Sequence, residues 1–252
     1  MISIAVIGNY QIGKSSFVNA LLNRKRAKTG NGCATTHAYH RYKLSPFIEI
    51  YDTPGIDAND KDDKTADKAM ESADFIIFIH ENKMLDEKTI RLIRDLTHKG
   101  KPLLFLVNCN NLSIWNPADE DNILIAQNIE SQLASSGLIN NFLTSNGKIV
   151  HLLNIYWALF SLGLINSDDD KTNKTYLYAK TMFDLPEDAI ENENTLRNMI
   201  METSGFPVIR EMIEDLPYRQ LLNVVASPQK EINRFIALFN DIIAKSKLVQ
   251  IS

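Results

Sequence analysis

The chain has 252 residues, of which 44% are hydrophobic and 23% are charged, and its formal net charge is −4. This composition is typical of a globular protein with a substantial core, and it argues against a large basic surface for nucleic acid. The two cysteines, Cys33 and Cys109, do not have a metal-ligand spacing, so we expect reduced thiols in a cytoplasmic protein. No apolar run reaches the ~18 residues that a membrane span needs, and we expect no targeting segment before the first strand.

The first predicted unit is a strand, a glycine-bounded loop and a helix. Residues 2–7 form a short apolar run that ends at Gly8, and residues 14–22 carry apolar side chains at helical spacing. Two strand-like runs follow at 38–44 and 47–51, and the short joint between them predicts an antiparallel hairpin.

Further along the chain, buried strands alternate with helices. We predict a mobile loop at 56–66 that enters a helix. After it we predict strands at 75–79, 103–107 and 149–153, which alternate with helices at 86–98, 119–136 and 156–164. Alternation of this kind predicts an α/β fold with a mainly parallel sheet and helices on both faces.

The pattern changes at about residue 166. A charged stretch at 167–171 precedes helices that we expect to be broken by Pro186, Pro207, Pro217 and Pro228. The last predicted helix carries an apolar stripe between residues 232 and 243, which is either core or a partner surface. We therefore predict one domain at 1–166 and a helical extension at 167–252, packed on the domain or beside it.

Residues 8–15 fit the phosphate-loop pattern G-x-x-x-x-G-K-[ST] and lie between a predicted strand and a predicted helix. Exposed backbone N–H groups and the helix N-terminus attract phosphate at such a loop. Lys14 can reach the β- and γ-phosphates, and the Ser15 hydroxyl can ligate Mg²⁺. The alternative is a glycine-rich turn with a surface lysine. The predicted nucleotide contacts here are Gly8, Asn9, Tyr10, Gln11, Ile12, Gly13, Lys14, Ser15 and Ser16.

Two more elements fit a nucleotide site. Asp52-Thr53-Pro54-Gly55 follows a strand, so Asp52 can hold Mg²⁺ through a water and the Gly55 N–H can meet the γ-phosphate. A threonine in the stretch 26–37 could complete the Mg²⁺ coordination and order that stretch when γ-phosphate is bound. Thr36 is our first choice and Thr35 the second. The alternative for the segment that ends at Gly55 is a simple Pro-Gly turn. The alternative for the threonines is a surface position that leads into a strand.

The segments GNYQIGKSSFVNALLN, CATTH and DTPGID together resemble the G domains of the Era and dynamin-like branch of P-loop GTPases, over roughly residues 1–165. The late segment TSGFP, residues 203–207, resembles bacterial dynamin-like chains. The resemblance implies a Ras-like G domain with a mainly parallel six-stranded sheet and C-terminal helices. It also implies a Mg²⁺-dependent molecular switch that hydrolyses GTP to GDP and phosphate.

The catalytic set that the resemblance implies is Lys14, Gln11, Thr36 and Gly55. The residue after DTPG is apolar Ile56, so the Ras-type glutamine that orients water is missing. Some relatives carry Asn or Ser where this chain has Gln11, and several use K⁺ there; Gln11 is either a charge stabiliser or a solvent-facing residue. We expect slow intrinsic turnover, raised by a homodimer across the nucleotide face or by a protein effector.

The base-recognition motif of the family, N-K-x-D or T-K-x-D, is altered to Asn108-Cys109-Asn110-Asn111. Asn108 fits, Cys109 could still pack on the base, and Asn111 cannot accept both guanine donors as an aspartate does. An unpaired buried donor costs ~1–3 kcal/mol, which is about tenfold to a hundredfold in affinity. Asn111 suits xanthine better. A last base contact is expected from the backbone N–H of Asn154.

Three hypotheses stay open on these residues. The first is a GTPase, the second a degenerate G domain that acts as a nucleotide-binding scaffold, and the third an NTPase with altered base selectivity. The expected ligands are GTP, GDP and Mg²⁺, with metal contacts from Ser15, Thr36 and Asp52. The sequence gives no direct evidence for a nucleic-acid partner, and we expect no membrane remodelling by this chain alone.

Overall fold

The computed structural model describes residues 1–27, 39–56, 60–109, 116–139, 141–165 and 193–219, together with Thr175, Leu177 and Thr181. The strands are β1 (Ile2–Gly8), β2 (His40–Ser45), β3 (Ile48–Asp52), β4 (Phe75–Glu81), β5 (Leu103–Asn108) and β6 (Val150–Leu153). The helices are α1 (Lys14–Leu22), α2 (Asp60–Ser72), α3 (Glu87–His98), α4 (Glu120–Ser135), α5 (Ile155–Ser161), α6 (Glu193–Thr203) and α7 (Phe206–Glu214).

The six strands form one sheet in the order β2-β3-β1-β4-β5-β6. Strands β3, β1, β4, β5 and β6 run parallel, whereas β2 pairs antiparallel with β3. The predicted hairpin and the predicted mainly parallel sheet are thereby confirmed, and the fold is an α/β Ras-like G-domain fold. The carboxyl ends of the parallel strands therefore lie along one edge, where α/β proteins bind ligands.

The central strand β1 is buried on both faces, as expected for a parallel sheet covered by helices. Ile4 and Val6 lie in one core, with residues of α1, α5 and α7. Ala5 and Ile7 lie in the other, with residues of α2, α3 and α4. The two cores fix β1, and so they fix the loop that follows it.

Two predicted boundaries differ from the structure. Helix α2 begins at Asp60, inside the stretch 56–66 that the polar composition predicts as a loop; residues 57–59 lie outside the described residues. Its Ala66, Ala69 and Met70 are buried, and burial of such a stripe outweighs polar composition in forming a helix. Helix α5 ends at Ser161 rather than at 164, because Gly163 takes a left-handed φ of 68°.

Helix α7 packs in the same core as α1. Phe206 meets Phe17 edge to face, with ring centroids 6.0 Å apart at 80°, and Ile209 and Ile213 are buried beside them. The helical chain is interrupted at Ser204 and Gly205, next to Pro207, where the sequence predicts a break, and Pro207 itself stands in the first turn of α7, where its missing N–H costs little. The stripe at 232–243 lies outside the described residues, and the domain boundary at 166 stays a prediction.

Within the described ranges, no helix combines the length and the apolar character that crossing a bilayer requires.

Candidate functional site

The loop between β1 and α1 is shaped by two glycines. A Cβ on Gly8 would collide with the backbone oxygen of Ile79 in the neighbouring strand. Gly13 caps α1 with a left-handed φ of 101°, and a Cβ there would lie 3.3 Å from Ile155 Cδ1. Only glycine fits both positions, so the backbone curls closely between strand and helix as a phosphate-binding loop requires.

Lys14 is folded back on this loop. Its side chain is only 6% exposed, and Nζ donates hydrogen bonds to Gly8 O at 3.0 Å and Asn9 O at 2.8 Å. Burial lowers the pKa of Lys14 to about 8, and the Asp52 carboxylate opposes that shift. The amine is thus held by two carbonyls at the loop where the sequence predicts phosphate.

Ser15 and Asp52 meet at the edge of the sheet. Ser15 Oγ, in the first turn of α1, donates to Asp52 Oδ2 at 2.8 Å, at the end of β3. Asp52 is fully buried, and burial raises its pKa to about 6. The hydrogen bond from Ser15 and the charges of Lys14 and His40 oppose this rise. Among the described residues, no group donates a hydrogen bond to the other oxygen, Oδ1.

These residues fit a Mg²⁺ ion. A buried carboxylate oxygen that lacks a donor, beside a serine hydroxyl, is an oxygen set of the kind that Mg²⁺ takes. In the part of the chain that the structure describes, no group of three or more His, Cys, Asp or Glu side chains could hold a metal. Asp52 and Ser15 would therefore hold the ion together with phosphate and water. The predicted third ligand, Thr36, and its alternative Thr35 lie outside the described residues.

The Asp52–Gly55 segment lies directly against the phosphate loop. A Cβ on Gly55 would be 2.6 Å from Tyr10 Cα, and Ile56 N donates to Gly8 O at 3.2 Å. Thr53, which the sequence does not single out, is buried and anchors the segment by donating from Oγ1 to Val6 O at 2.6 Å. The structure thus brings Asp52 and Gly55 beside residues 8–15.

The remaining loop residues lie nearer the surface. Asn9, Tyr10 and Ser16 are half-buried, whereas Ile12 is buried. Gln11 is exposed and has a left-handed φ of 61°, which is uncommon for a residue other than glycine. Its side chain therefore faces solvent at the phosphate loop, and such uncommon backbone conformations are frequent in functional loops.

Asn108 joins the phosphate loop to the loop after β6. Its Nδ2 donates to Ile12 O at 3.0 Å, and its Oδ1 accepts from Ile155 N at 3.2 Å. The side-chain amide that the sequence assigns to the base is thus engaged by the two loops around it. In the sequence, this role is indicated only by the place of Asn108 at the end of the apolar run 103–107.

The other predicted base contacts are also enclosed. Cys109 is fully buried, its N donates to Leu153 O at 2.8 Å, and burial raises the pKa of its thiol to about 12. Its sulfur is covered in this arrangement, so it offers no face to a base. Asn154 caps α5 by accepting from Trp157 N. The backbone N–H of Asn154, which the sequence predicts as a base contact, instead donates to Ser204 O at 2.8 Å. Asn111 lies outside the described residues.

The chain is similar to known GTPases over its first half. Residues 3–109 match the family model described as "50S ribosome-binding GTPase". GTPase Der of Nitratiruptor sp. is 32% identical over 131 residues, which are 49% of this chain and 28% of that protein. GTPase Der of Nautilia profundicola is 30% identical over 118 residues, 43% of this chain and 26% of that protein.

The chain thus spans little more than a quarter of the length of these curated relatives. A crystal structure of Aquifex aeolicus Era bound to GDP and AlF4⁻ is 18% identical, with a TM-score of 0.48. The likeness covers 66% of this chain and 57% of that one.

Proposed function

We propose that this chain, whose N-terminal part is a P-loop GTPase G domain, binds GTP with Mg²⁺ and hydrolyses it to GDP and phosphate as a molecular switch. The observation that carries the proposal is the contact of Ser15 with buried Asp52 beside the phosphate loop. The GTPase relatives support hydrolysis for proteins of this kind. The dynamin-like part of the resemblance stays a prediction.

Each residue has a place in this chemistry. Water attacks the γ-phosphorus in line, the bond to the bridging oxygen of GDP breaks, and the proton of the water passes to the released phosphate. Lys14 would leave the carbonyls of Gly8 and Asn9 and neutralise charge on the β- and γ-phosphates. Ser15 and Asp52 would hold Mg²⁺, with Thr36 as the predicted third ligand. Gly55 would sense the γ-phosphate.

Slow turnover is part of the proposal. Ile56 occupies the place of a water-orienting glutamine, and we expect a homodimer or a protein effector to supply the missing charge stabilisation. Gln11 presents an exposed amide at the loop, which could assist directly or together with K⁺. We place this activity in the cytoplasm, because the cysteines have no spacing that requires oxidation or metal.

The helical segment after residue 166 is proposed as an extension that packs on the G domain. The burial of Phe206, Ile209 and Ile213 against the core of α1 supports this arrangement.

Altered base selectivity is the second candidate. Asn111 replaces the carboxylate that guanine requires, Cys109 is covered, and the Asn108 amide is engaged by Ile12 and Ile155. An NTPase of low selectivity, or a scaffold that binds nucleotide without hydrolysis, is consistent with these three observations. The Lys14, Ser15 and Asp52 arrangement argues against a domain that has lost phosphate binding.

Equilibrium binding of GDP, XDP and ADP to nucleotide-free protein with Mg²⁺ separates the GTPase from an NTPase of altered selectivity, and phosphate release from GTP separates the GTPase from the scaffold. We expect GDP to bind about tenfold more tightly than ADP, equivalent to ~1.4 kcal/mol. Equal affinity for GDP and ADP would instead support the NTPase of altered selectivity, and preference for XDP would assign the selectivity to Asn111.

A further inference from the structure

We propose that residues 203–205, at the end of α6 and in the turn before α7, position the loop between β6 and α5 and thereby set how tightly the nucleotide site holds the base. We refer to residues 203–205 as the brace and to residues 153–155 as the base loop. The inference rests on the proposed function, because it assigns a positioning element to the same site.

The brace holds the base loop by a backbone hydrogen bond. Asn154 N donates to Ser204 O at 2.8 Å, and both residues are buried, at 1% and 0% exposure. The Ser204 hydroxyl donates to Met201 O at 2.6 Å and accepts from Phe206 N at 3.1 Å. Ser204 thus ends α6, begins α7 and fixes Asn154, the middle residue of the base loop.

The brace also lies against β6. Gly205 has a left-handed φ of 72°, and a Cβ there would collide with the backbone oxygen of Leu152 and lie 3.3 Å from Leu153 Cα. Because the obstacle is backbone, a side chain at position 205 would have to displace the end of β6. The position of the brace and the position of the base loop are therefore coupled.

On its other side the base loop is held by the phosphate loop. Ile155 N donates to Asn108 Oδ1, and Asn108 Nδ2 donates to Ile12 O. Ile155 Cδ1 also approaches Gly13. The base loop therefore lies between two fixed points, one in the phosphate loop and one in the brace, and a shift of the brace moves the base loop against the phosphate loop.

The phosphate loop has anchors of its own. Ile56 N donates to Gly8 O at 3.2 Å, and Phe17 N, in α1, donates to Gly13 O at 2.8 Å. None of these groups belongs to the base loop or the brace. A disturbed brace should therefore weaken contacts to the base and leave phosphate binding unchanged.

The test compares Gly205→Ala with Gly163→Ala in the full chain. Gly163 is a matched control, because its φ of 68° is also left-handed but nothing lies within 4 Å of the added Cβ. Calorimetry with Mg²⁺ measures the affinity of wild type and both variants for GDP and for inorganic pyrophosphate. We expect Gly205→Ala to weaken GDP about tenfold, as for one misplaced hydrogen bond to a buried group. Pyrophosphate affinity should stay the same, and Gly163→Ala should change neither ligand.

A folded Gly205→Ala that binds GDP as tightly as wild type would overturn the brace proposal, as would an equal loss for both ligands. Wild type that binds neither ligand would instead overturn the proposed function.

If Gly205→Ala does not fold, Ser204→Ala replaces it in the test, because the serine substitution removes only the hydroxyl. In that variant the amide of Asn154 should exchange with deuterium faster than in wild type, and GDP affinity should fall while pyrophosphate affinity does not. Unchanged exchange at Asn154 together with unchanged GDP affinity would contradict the brace.

Discussion

Ser15 Oγ lies 2.8 Å from Asp52 Oδ2, although 37 residues separate them in the sequence. The contact joins the first turn of α1 to the carboxyl end of β3, the two places from which a P-loop protein contributes side chains to Mg²⁺. Asp52 keeps one buried oxygen without a donor among the described residues. The protein alone therefore brings together the two groups that the metal would bind.

Asp52→Asn should stabilise the nucleotide-free protein at neutral pH. Burial raises the pKa of Asp52 from 3.8 to about 6, so the folded protein binds a proton that the unfolded chain has released between these values. The contribution of this group to the free energy of unfolding therefore falls as the pH rises through about 6. We expect the variant to gain ~1–3 kcal/mol at pH 7.5 and little at pH 4, and to lose Mg²⁺-dependent nucleotide binding.

Urea unfolding at both pH values measures the gain, and Asp95→Asn, at an exposed position of α3, is the control. An Asp52→Asn variant that is less stable than wild type at pH 7.5 would show that the buried carboxylate does not destabilise the folded protein.

Nucleotide binding should take up a proton at pH 8.5. Burial lowers the pKa of Lys14 to about 8, so most of the free protein carries a neutral amine at pH 8.5. Phosphate favours the charged amine and raises that pKa. Calorimetry of GDP binding in buffers of different ionisation enthalpy should give an uptake between zero and one proton at pH 8.5 and close to zero at pH 7. Lys14→Arg, charged at both pH values, should show no uptake, and equal uptake in wild type and variant would exclude Lys14 as the source.

Gly55→Ala should impair recognition of the γ-phosphate. The added Cβ would lie 2.6 Å from Tyr10 Cα, so the Asp52–Gly55 segment would have to move off the phosphate loop. We expect affinity for a non-hydrolysable GTP analogue to fall by tenfold or more, equivalent to at least ~1.4 kcal/mol, while affinity for GDP falls less. Gly100→Ala, which adds a Cβ with nothing within 4 Å, is the control for a general glycine effect. Equal losses for both nucleotides would refute the sensor role.

Asn108→Ala should destabilise the fold as well as the site. The variant leaves Ile12 O and the buried Ile155 N without their amide partner, at ~1–3 kcal/mol of unfolding free energy. Asn108→Asp keeps the acceptor for Ile155 N but buries a carboxylate with one oxygen against Ile12 O, so at neutral pH it should be at least as destabilised as Asn108→Ala. Urea unfolding of the three proteins checks this. If Asn108→Ala has the same free energy of unfolding as wild type, Asn108 does not join the two loops.

The order of strands and helices could be predicted because each follows from local pattern. A short apolar run such as 75–79 indicates a buried strand. The loop at 8–15 combines glycine spacing with a strand before it and a helix after it. The position of Asp52 beside Ser15 then follows from parallel strands ending at one edge.

The coupling between loops could not be predicted from local pattern. The hydrogen bond from Asn154 to Ser204 joins residues that are distant in the sequence, and nothing near Asn154 in the chain indicates it. The burial of Lys14 and Cys109 likewise depends on how the loops pack. The break next to Pro207 could be predicted, but the part of Ser204 and Gly205 in ending α6 before it could not.

Phosphate release from GTP with Mg²⁺, compared between wild type and Lys14→Ala, measures whether the phosphate loop drives hydrolysis. The exposed Lys25→Ala is the matched control for loss of a lysine. We predict slow release by wild type and Lys25→Ala, and a rate lower by about a hundredfold or more in Lys14→Ala, because charge neutralisation at the phosphates is lost. Turnover that survives Lys14→Ala unchanged would contradict the phosphate-loop mechanism.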